Sequence, residues 1–376
     1  MPRSEYAISH YENDIPVFVE HELNRLYGGR YASLAHFKIY GNAKGAHTYI
    51  ASKEGEASAV FLFKRRKQNA FVLNEGIKIS REEAARFADH LFSTDKLTAA
   101  VTFNCVETDA RDFAYPYLRI PCEEDIVLAL PDTVERYMSS LGKATRSNLR
   151  TRLNKLKRDF PSFQFSVYEK EAADERHIRE IIRLSRLRVT NKNKISIIDA
   201  DEEERIIRCV RECGFVCVAT IDGNLCCGAV NFRLGRNFSA RILANDPIYD
   251  NYRLGFACAF LTICECIKVQ NSERFYFGWG ENEYKFHLGG KPRQLSRLII
   301  YRSWHHVFLN AGQAWSTLLA GGLFRARQWL LQTAKLEGHG IISMATSNLV
   351  KGVRRLKAVK ADLLKKLGLP RSLKSS

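Results

Sequence analysis

Residues 237–280 read NFSARILANDPIYDNYRLGFACAFLTICECIKVQNSERFYFGWG. FSARILAN and RFYFGWG are short β-rich runs. Between them GFACAFLTICECIKVQ is apolar on nearly every turn, the pattern of a largely buried helix. The connecting DPIYDNYRLG carries turn residues and ends in glycine. Strand, glycine-bearing loop, helix and strand make a βαβ unit. The first turn of its helix leaves backbone N–H groups unpaired and carries partial positive charge, which suits a phosphate-bearing ligand. Gly255 lets such a ligand approach the backbone closely. A lone glycine before a helix is also the mark of an ordinary turn.

Working outward, GFVCVATI (214–221) and LCCGAVNFRL (225–234) read as further strands, joined through the tight-turn signal Asp222-Gly223-Asn224. Cys226 and Cys227 are adjacent in the second, where alternation directs them to opposite faces. Helices are predicted near 143–160, 173–192 and 201–213. Residues 30–130 alternate in the same manner: AHFKIY, SAVFLFKRR, NAFVLNEG, VTFNCVET and IVLAL read as strands, and Ser80 with Glu83 forms a capping box opening the helix REEAARFADHLF. The expected class is α/β, a mixed sheet flanked by helices. Its parts are an N-terminal half over 1–131, a second half over 132–303 and a basic helical tail over 304–376.

The 376 residues are 45% hydrophobic and 11% aromatic, enough for two domains with substantial cores. The opening MPRSEYAISHYENDIPVF has charges throughout and no apolar run before small cleavage-site residues, so no secretory signal is expected. Ten cysteines lie mostly in apolar runs of a chain too large to need a disulfide scaffold, which predicts free thiols in a reducing cytoplasm. Cys209, Cys213 and Cys217 are regularly spaced, but no CxxC pair or HxxxH accompanies them, and no metal site is expected.

Three segments, in order, carry a resemblance. Leu141-Gly142-Lys143-Ala144-Thr145-Arg146-Ser147-Asn148-Leu149-Arg150 looks like the basic helix opening of CelD/BcsL-type acetyltransferase domains, which belong to the GNAT superfamily and are similar to FemAB-type transferases. Arg253-Leu254-Gly255-Phe256-Ala257 occupies the place of the GNAT acyl-CoA pyrophosphate loop. Phe277-Gly278-Trp279-Gly280-Glu281-Asn282-Glu283-Tyr284-Lys285 resembles the family's Gly, acidic, Tyr-Lys signature. The likeness covers about residues 140–300. It implies a GNAT-like mixed sheet, with residues 1–131 as a degenerate first copy of two tandem halves. The chain departs from the pattern at Tyr276, where the family commonly has Asp, at Trp279, where it has Arg, and at Tyr252, where Gln or Arg is frequent.

The resemblance implies direct acyl transfer from acetyl-CoA or another acyl-CoA, without a covalent enzyme intermediate. Such chemistry needs a deprotonated acceptor, a group that holds the carbonyl oxygen and an acid for the departing thiolate. By analogy, backbone over Ile242, Leu243 and Asn245 holds the acyl group, and Arg253, Leu254, Gly255, Phe256 and Ala257 hold the pyrophosphate. Glu281 or Glu283 acts as base, Tyr284 as acid, and Lys285 neutralises phosphate or an anionic acceptor. In the helix 143–160, Leu149, Leu153, Leu156 and Phe160 form the apolar stripe. Arg146 and Arg150 fall outside it and are candidates for an anionic, sugar- or lipid-linked acceptor.

Formal charge is +17, and residues 305–376 hold twelve Lys or Arg against Glu337 and Asp362. Within that tail Val353, Leu356, Val359, Leu363, Leu364 and Leu367 make an apolar stripe among lysines and arginines, the composition of a helix lying on anionic lipid. Aromatic interleaving for single-stranded nucleic acid is lacking. The sequence is thus read as a cytoplasmic acyltransferase, peripheral at the inner membrane face, that acetylates a sugar-containing acceptor of exopolysaccharide or cell-envelope synthesis. The competing readings are an aminoacyl-tRNA-dependent FemAB-like transferase and a non-catalytic GNAT-like protein that binds membrane or RNA.

Overall fold

The structure, a computed structural model, describes residues 6–191, 196–280, 282–310 and the glycines at 312, 321 and 322. The strands are β1 (Tyr6–Tyr11), β2 (His47–Lys53), β3 (Glu56–Arg66), β4 (Asn69–Val72), β5 (Ala100–Val106), β6 (Tyr117–Ala129), β7 (Gln164–Glu169), β8 (Gly214–Ile221), β9 (Asn224–Leu234), β10 (Asn237–Asn245), β11 (Arg274–Trp279) and β12 (Lys291–Tyr301). The helices are α1 (Val19–Leu26), α2 (Leu34–Ile39), α3 (Arg81–Thr94), α4 (Val134–Ser140), α5 (Lys143–Asp159), α6 (Glu175–Thr190), α7 (Ala200–Cys213), α8 (Leu254–Lys268), α9 (Glu283–His287) and α10 (Trp304–Leu309).

One sheet runs β1-β2-β3-β4-β5-β12-β6-β11-β10-β9-β8-β7. Read inward from either edge, the order is the same: β1 to β5 correspond to β7 to β11, and β12 corresponds to β6. Each half has one parallel pair, β4 with β5 and β10 with β11, connected through α3 and α8 respectively. The expected mixed α/β sheet in two tandem GNAT-like halves is therefore the observed architecture. The halves exchange their inner strands. β6, which precedes Asp132, lies against β11, while β12 returns to pair with β5. A chain that crosses and recrosses the seam makes one continuous sheet.

Helix α3 covers the aromatic core of the first half, where Phe61, Phe63, Phe87 and Phe103 are fully buried. In the second half α4, α5 and α8 cover one face, through Tyr137, Leu149, Leu156, Cys258 and Ile263. Helices α6 and α7 cover the other, through Ile181, Ile182, Ile206 and Val210. Leu149 and Leu156 are buried as the apolar stripe predicts, with Leu153 and Phe160 packed at its margin.

Two local expectations are corrected. AHFKIY is not a strand but belongs to α2, because Ser33 caps the helix by accepting from the His36 N–H, and Leu34, Ala35 and Phe37 are then buried together on one face. A cap and a buried helical face outweigh β-rich composition. Cys226 and Cys227 do not divide between faces: the β8/β9 register shifts between Ala219 and Thr220, and both cysteines enter the same core. A bulge suspends strand alternation at that point.

Gly28 fixes how the first half meets the second. Its φ is +48°, and a Cβ there would lie 2.5 Å from the Asn237 amide nitrogen and 2.8 Å from the Leu234 carbonyl. Only glycine lets this loop sit on the β9–β10 corner, from which Arg30 and Tyr31 reach the middle of the sheet.

Candidate functional site

The parallel partners β10 and β11 stay together only at Asn237/Arg274, Phe238/Phe275 and Ser239/Tyr276. Immediately beyond, β10 bulges against β9 between Ala240 and Ile242, and β11 bulges against β6 between Tyr276 and Gly278. Bulges bend strands, and these two open a wedge in the sheet. Along it the β10 edge from Ala240 to Asn245 has no strand partner from β11, so its peptide groups are available to an extended ligand or a reacting carbonyl. Ile242 is buried beneath α6 and α7, Leu243 packs toward α5 and α8, and the Asn245 amide donates to Asp250 Oδ1 at 2.8 Å.

The wedge leads to the N-terminus of α8. Arg253 adopts the left-handed region, φ 50°, and provides no side-chain cap. The equivalent helix of the first half, α3, has both sides of its capping box made, Ser80 to Glu83 N–H and Glu83 to Ser80 N–H. One of the two related helices has thus spent its terminal donors on its own side chains, and the other has not. Leu254 and Ala257 are buried behind the turn, while Phe256 is partly buried. A Cβ on Gly255 would stand 2.9 Å from Asn245 Oδ1, so the loop is packed where the glycine lies.

Helix α5 braces this loop. Arg152 donates to the Asn251 carbonyl at 2.8 Å, Lys155 lies 4.9 Å above the Tyr252 ring, and the Tyr252 hydroxyl donates to Asp159 at 3.0 Å. Arg146, expected to face an acceptor, donates instead to the Ser139 and Leu141 carbonyls at 2.8 and 2.9 Å and ties α4 to α5. Arg150 is exposed on the outer face of α5.

The Gly-Tyr-Lys segment makes its contacts within the protein. Lys285 is 2% exposed. Its ammonium donates to the carbonyls of Gly278, Trp279 and Gly280 at 2.7, 3.0 and 2.9 Å. Burial pulls it down to about 8, opposed by nearby Asp125. With all three protons committed, it holds the turn in which Gly278 and Gly280 take φ of 72° and 88°. Tyr284 packs edge-on to Phe277, and burial pushes its phenol up. Glu283 is exposed at the start of α9, and Glu281 lies outside the described residues.

At the other end of the wedge is a cavity of about 260 Å³, lined from both halves. Asp125 on β6 is the cross-strand neighbour of both Trp279 and Arg293. Its Oδ2 accepts from Arg293 at 3.0 Å, and its buried Oδ1 has no partner. Burial pushes its carboxyl up, against the pull of Arg293. Glu75, also on the lining, is raised by burial too, with Arg297 opposing. Trp279 stacks on Tyr31, with ring centroids 5.3 Å apart and planes 9° from parallel.

The cavity also has a cationic wall. Arg30 is 8% exposed, donates to the Tyr40 hydroxyl at 3.2 Å and lies 5.1 Å from the Tyr31 and Phe232 rings, while its Nε has no partner. Arg241, at the β10 bulge, shares one Glu202 oxygen with Tyr40, each bonded at 2.6 Å. Burial, helped by Arg30 and Arg241, keeps neighbouring His36 neutral by lowering it to about 3. Sequence reasoning missed Asp125, Glu75, Arg30 and Arg241. A signal existed for the first, a carboxylate in the middle of the strand CEEDIVLAL, where an unpaired acid is unfavourable. Tyr276 and Trp279, the departures from the family pattern, both line this cavity.

Residues 143–286 match the family model described as an acetyltransferase (GNAT) domain. No curated protein matches the chain in sequence at a significant level. The fold is similar to a crystal structure of FemX, with TM-score 0.57 and 10% identity over 80% of this chain and 99% of that one. It is also similar to a conserved protein of unknown function from Bacteroides thetaiotaomicron VPI-5482, with TM-score 0.51 and 9% identity over 77% of this chain and 99% of that one. Identities at this level speak for the fold alone. With the domain match, the chain is an enzyme of the acyltransferase class built on a GNAT-type fold.

Proposed function

We propose that the enzyme takes an acyl group, acetyl in the simplest case, from a coenzyme A thioester held in the β10/β11 wedge and passes it to an amine or hydroxyl in the central cavity. The observation carrying this reading is the wedge itself: a strand edge without a partner that runs between an uncapped helix N-terminus and a buried carboxylate with a free oxygen. Pyrophosphate on the Arg253–Ala257 turn, pantetheine along Ile242 to Asn245 and the thioester at the bulge follow the order of these features. Asp125 then removes the acceptor's proton, peptide N–H groups at the bulge stabilise the carbonyl oxygen, and Tyr284 is the acid for the thiolate.

Anion recognition moves from α5 to Arg30 and Arg241. A buried guanidinium is costly without a counter-charge, and Arg30 has no carboxylate partner among the described residues. This supports an acceptor bearing phosphate or carboxylate, in keeping with an anionic sugar of exopolysaccharide or cell-envelope synthesis. Calorimetric titration with acetyl-CoA is the test. Saturable binding is expected in the native protein, a loss of at least about tenfold, equivalent to about 1.4 kcal/mol, in Gly255→Trp, and unchanged binding in Arg30→Gln. No binding of acetyl-CoA or longer acyl-CoA to the native protein would overturn the donor assignment.

A second reading, implied by the resemblance to FemAB-type transferases, is aminoacyl transfer from tRNA. Activity in cell extract that disappears with ribonuclease would select it over the acyl-CoA reading. The lipid-facing stripe at 353–367 lies outside the described residues. At the start of the tail, Trp304, Phe308 and Leu309 on α10 are 68%, 74% and 65% exposed. Among the described residues no helix is long and apolar enough to cross a membrane. Attachment at the inner membrane surface predicts co-sedimentation with anionic but not neutral vesicles, lost when the chain is cut after Leu309.

A further inference from the structure

Two bulges face each other across β12. Opposite Ser296 to Leu298, β5 carries an extra residue between Phe103 and Val106, and opposite Leu295 to Ser296, β6 carries one between Pro121 and Glu123. Cys105 sits in the first with φ 43°, and Cys122 is the extra residue of the second. Although β12 separates their strands, the two Sγ atoms are 3.3 Å apart. Cys105 also lines the central cavity, and its carbonyl accepts from Gly76 N–H at 2.7 Å, in the segment carrying Glu75.

Cys122 differs from the other cysteines in acidity, while the hydrogen bond between the two thiols, together with burial, pushes Cys105 well up. Both thiols are partly exposed, whereas Cys209, Cys217, Cys226, Cys227, Cys258, Cys264 and Cys266 are buried. Burial pushes Cys209 up to about 11, and Cys226 and Cys264 to about 12. Cys213, the other partly exposed thiol, is also pushed to about 12. Cys122 is lowered, chiefly by the hydrogen bond from Cys105 and further by Arg297. The thiolate is the nucleophilic form.

We propose that Cys105 and Cys122 are a peroxide-reactive dithiol, a modification site on the wall of the cavity that closes to a disulfide. The Cys122 thiolate attacks hydrogen peroxide. An S–O bond forms as the O–O bond breaks, and hydroxide leaves and is protonated to water. The Cys105 thiol then attacks the sulfenic sulfur, forming S–S and releasing a second water. Two thiols lose two electrons and two protons, and peroxide takes them up. Closure to the bonded distance of about 2 Å requires the sulfurs, now 3.3 Å apart, to approach by about 1 Å. The modification stands whether or not the donor is an acyl-CoA.

The test uses the full-length reduced protein, titrated with hydrogen peroxide and mapped by mass spectrometry without reduction. Tryptic cuts after Lys96, Arg111, Arg119 and Arg136 put the two cysteines on separate peptides. A Cys105–Cys122 cross-link reversed by dithiothreitol is expected at doses that leave Cys213 a thiol, with Cys122 reacting at least tenfold faster than Cys213. In Cys105→Ser, Cys122 should stall as a sulfenic acid that dimedone captures. The proposal is overturned if both thiols survive doses that oxidise Cys213, or if each pairs with another cysteine first. Mapping of the native protein decides this even where the variant folds poorly.

Discussion

Asp125→Asn is expected to lower the rate of acyl transfer by about 10²- to 10⁴-fold, the contribution of a positioned general base, without lowering stability. Its carboxyl is held above the usual carboxylate range by burial, and its free Oδ1 is the atom that can accept a proton in the cavity. As base it must be ionised, so kcat/KM should rise with pH through its raised pKa, and that limb should be flat in the variant. The stability sign follows from the same shift. A carboxyl with a raised folded-state pKa loses stability as pH climbs from the unfolded value, about 3.9, to the folded one, and the loss persists above it. Asparagine removes that penalty, and Arg293 retains Glu107 at 3.4 Å and the Gly76 carbonyl at 3.0 Å. Calorimetric unfolding at pH 7 should therefore show an equal or higher midpoint. A variant that keeps wild-type rates and an intact acid limb would pass the base role to Glu75.

Lys285→Met should act in the opposite sense, costing stability along with activity. The ammonium satisfies three buried carbonyls, and an acceptor left unsatisfied costs about 1–3 kcal/mol. Relief of the desolvated charge offsets part of that, leaving a net loss of about 2 kcal/mol, or several degrees in midpoint. The loosened turn carries Trp279, which stacks on Tyr31 at the cavity, and joins β11 to α9. Turnover should fall because the aromatic wall moves, not because a phosphate loses its counter-charge. The readout separating the two is thermal. A phosphate-neutralising lysine would raise the KM of donor or acceptor with the midpoint unchanged, and such a result would restore the role inferred from the family signature.

Most of the secondary structure was legible in residue patterns. The apolar helix over 255–268 could hardly be placed anywhere but inside, the Ser80–Glu83 capping box marked its helix start, and Leu149 with Leu156 identified the buried face of α5. AHFKIY misled because its composition favours strand while a single capping serine decides for helix. The β10–α8 unit was legible for a local reason: a strand, a turn and a helix start are contiguous, so their spacing is written in the chain.

The central cavity was not, because no contiguous segment lines it. Arg30, Glu75 and Asp125 come from the first half, Arg241 and Trp279 from the second, and Arg293 from the returning strand. The exchange of β6 and β12 between halves brings them together, and strand exchange depends on long-range pairing that leaves no periodic mark. The Tyr-Lys motif shows the same division. Sequence by itself determined that the lysine would stand after the glycine turn, and only the tertiary structure decided that its charge would face three carbonyls within the protein rather than a ligand. A lysine's flexible stem reaches either outcome, and burial chooses between them.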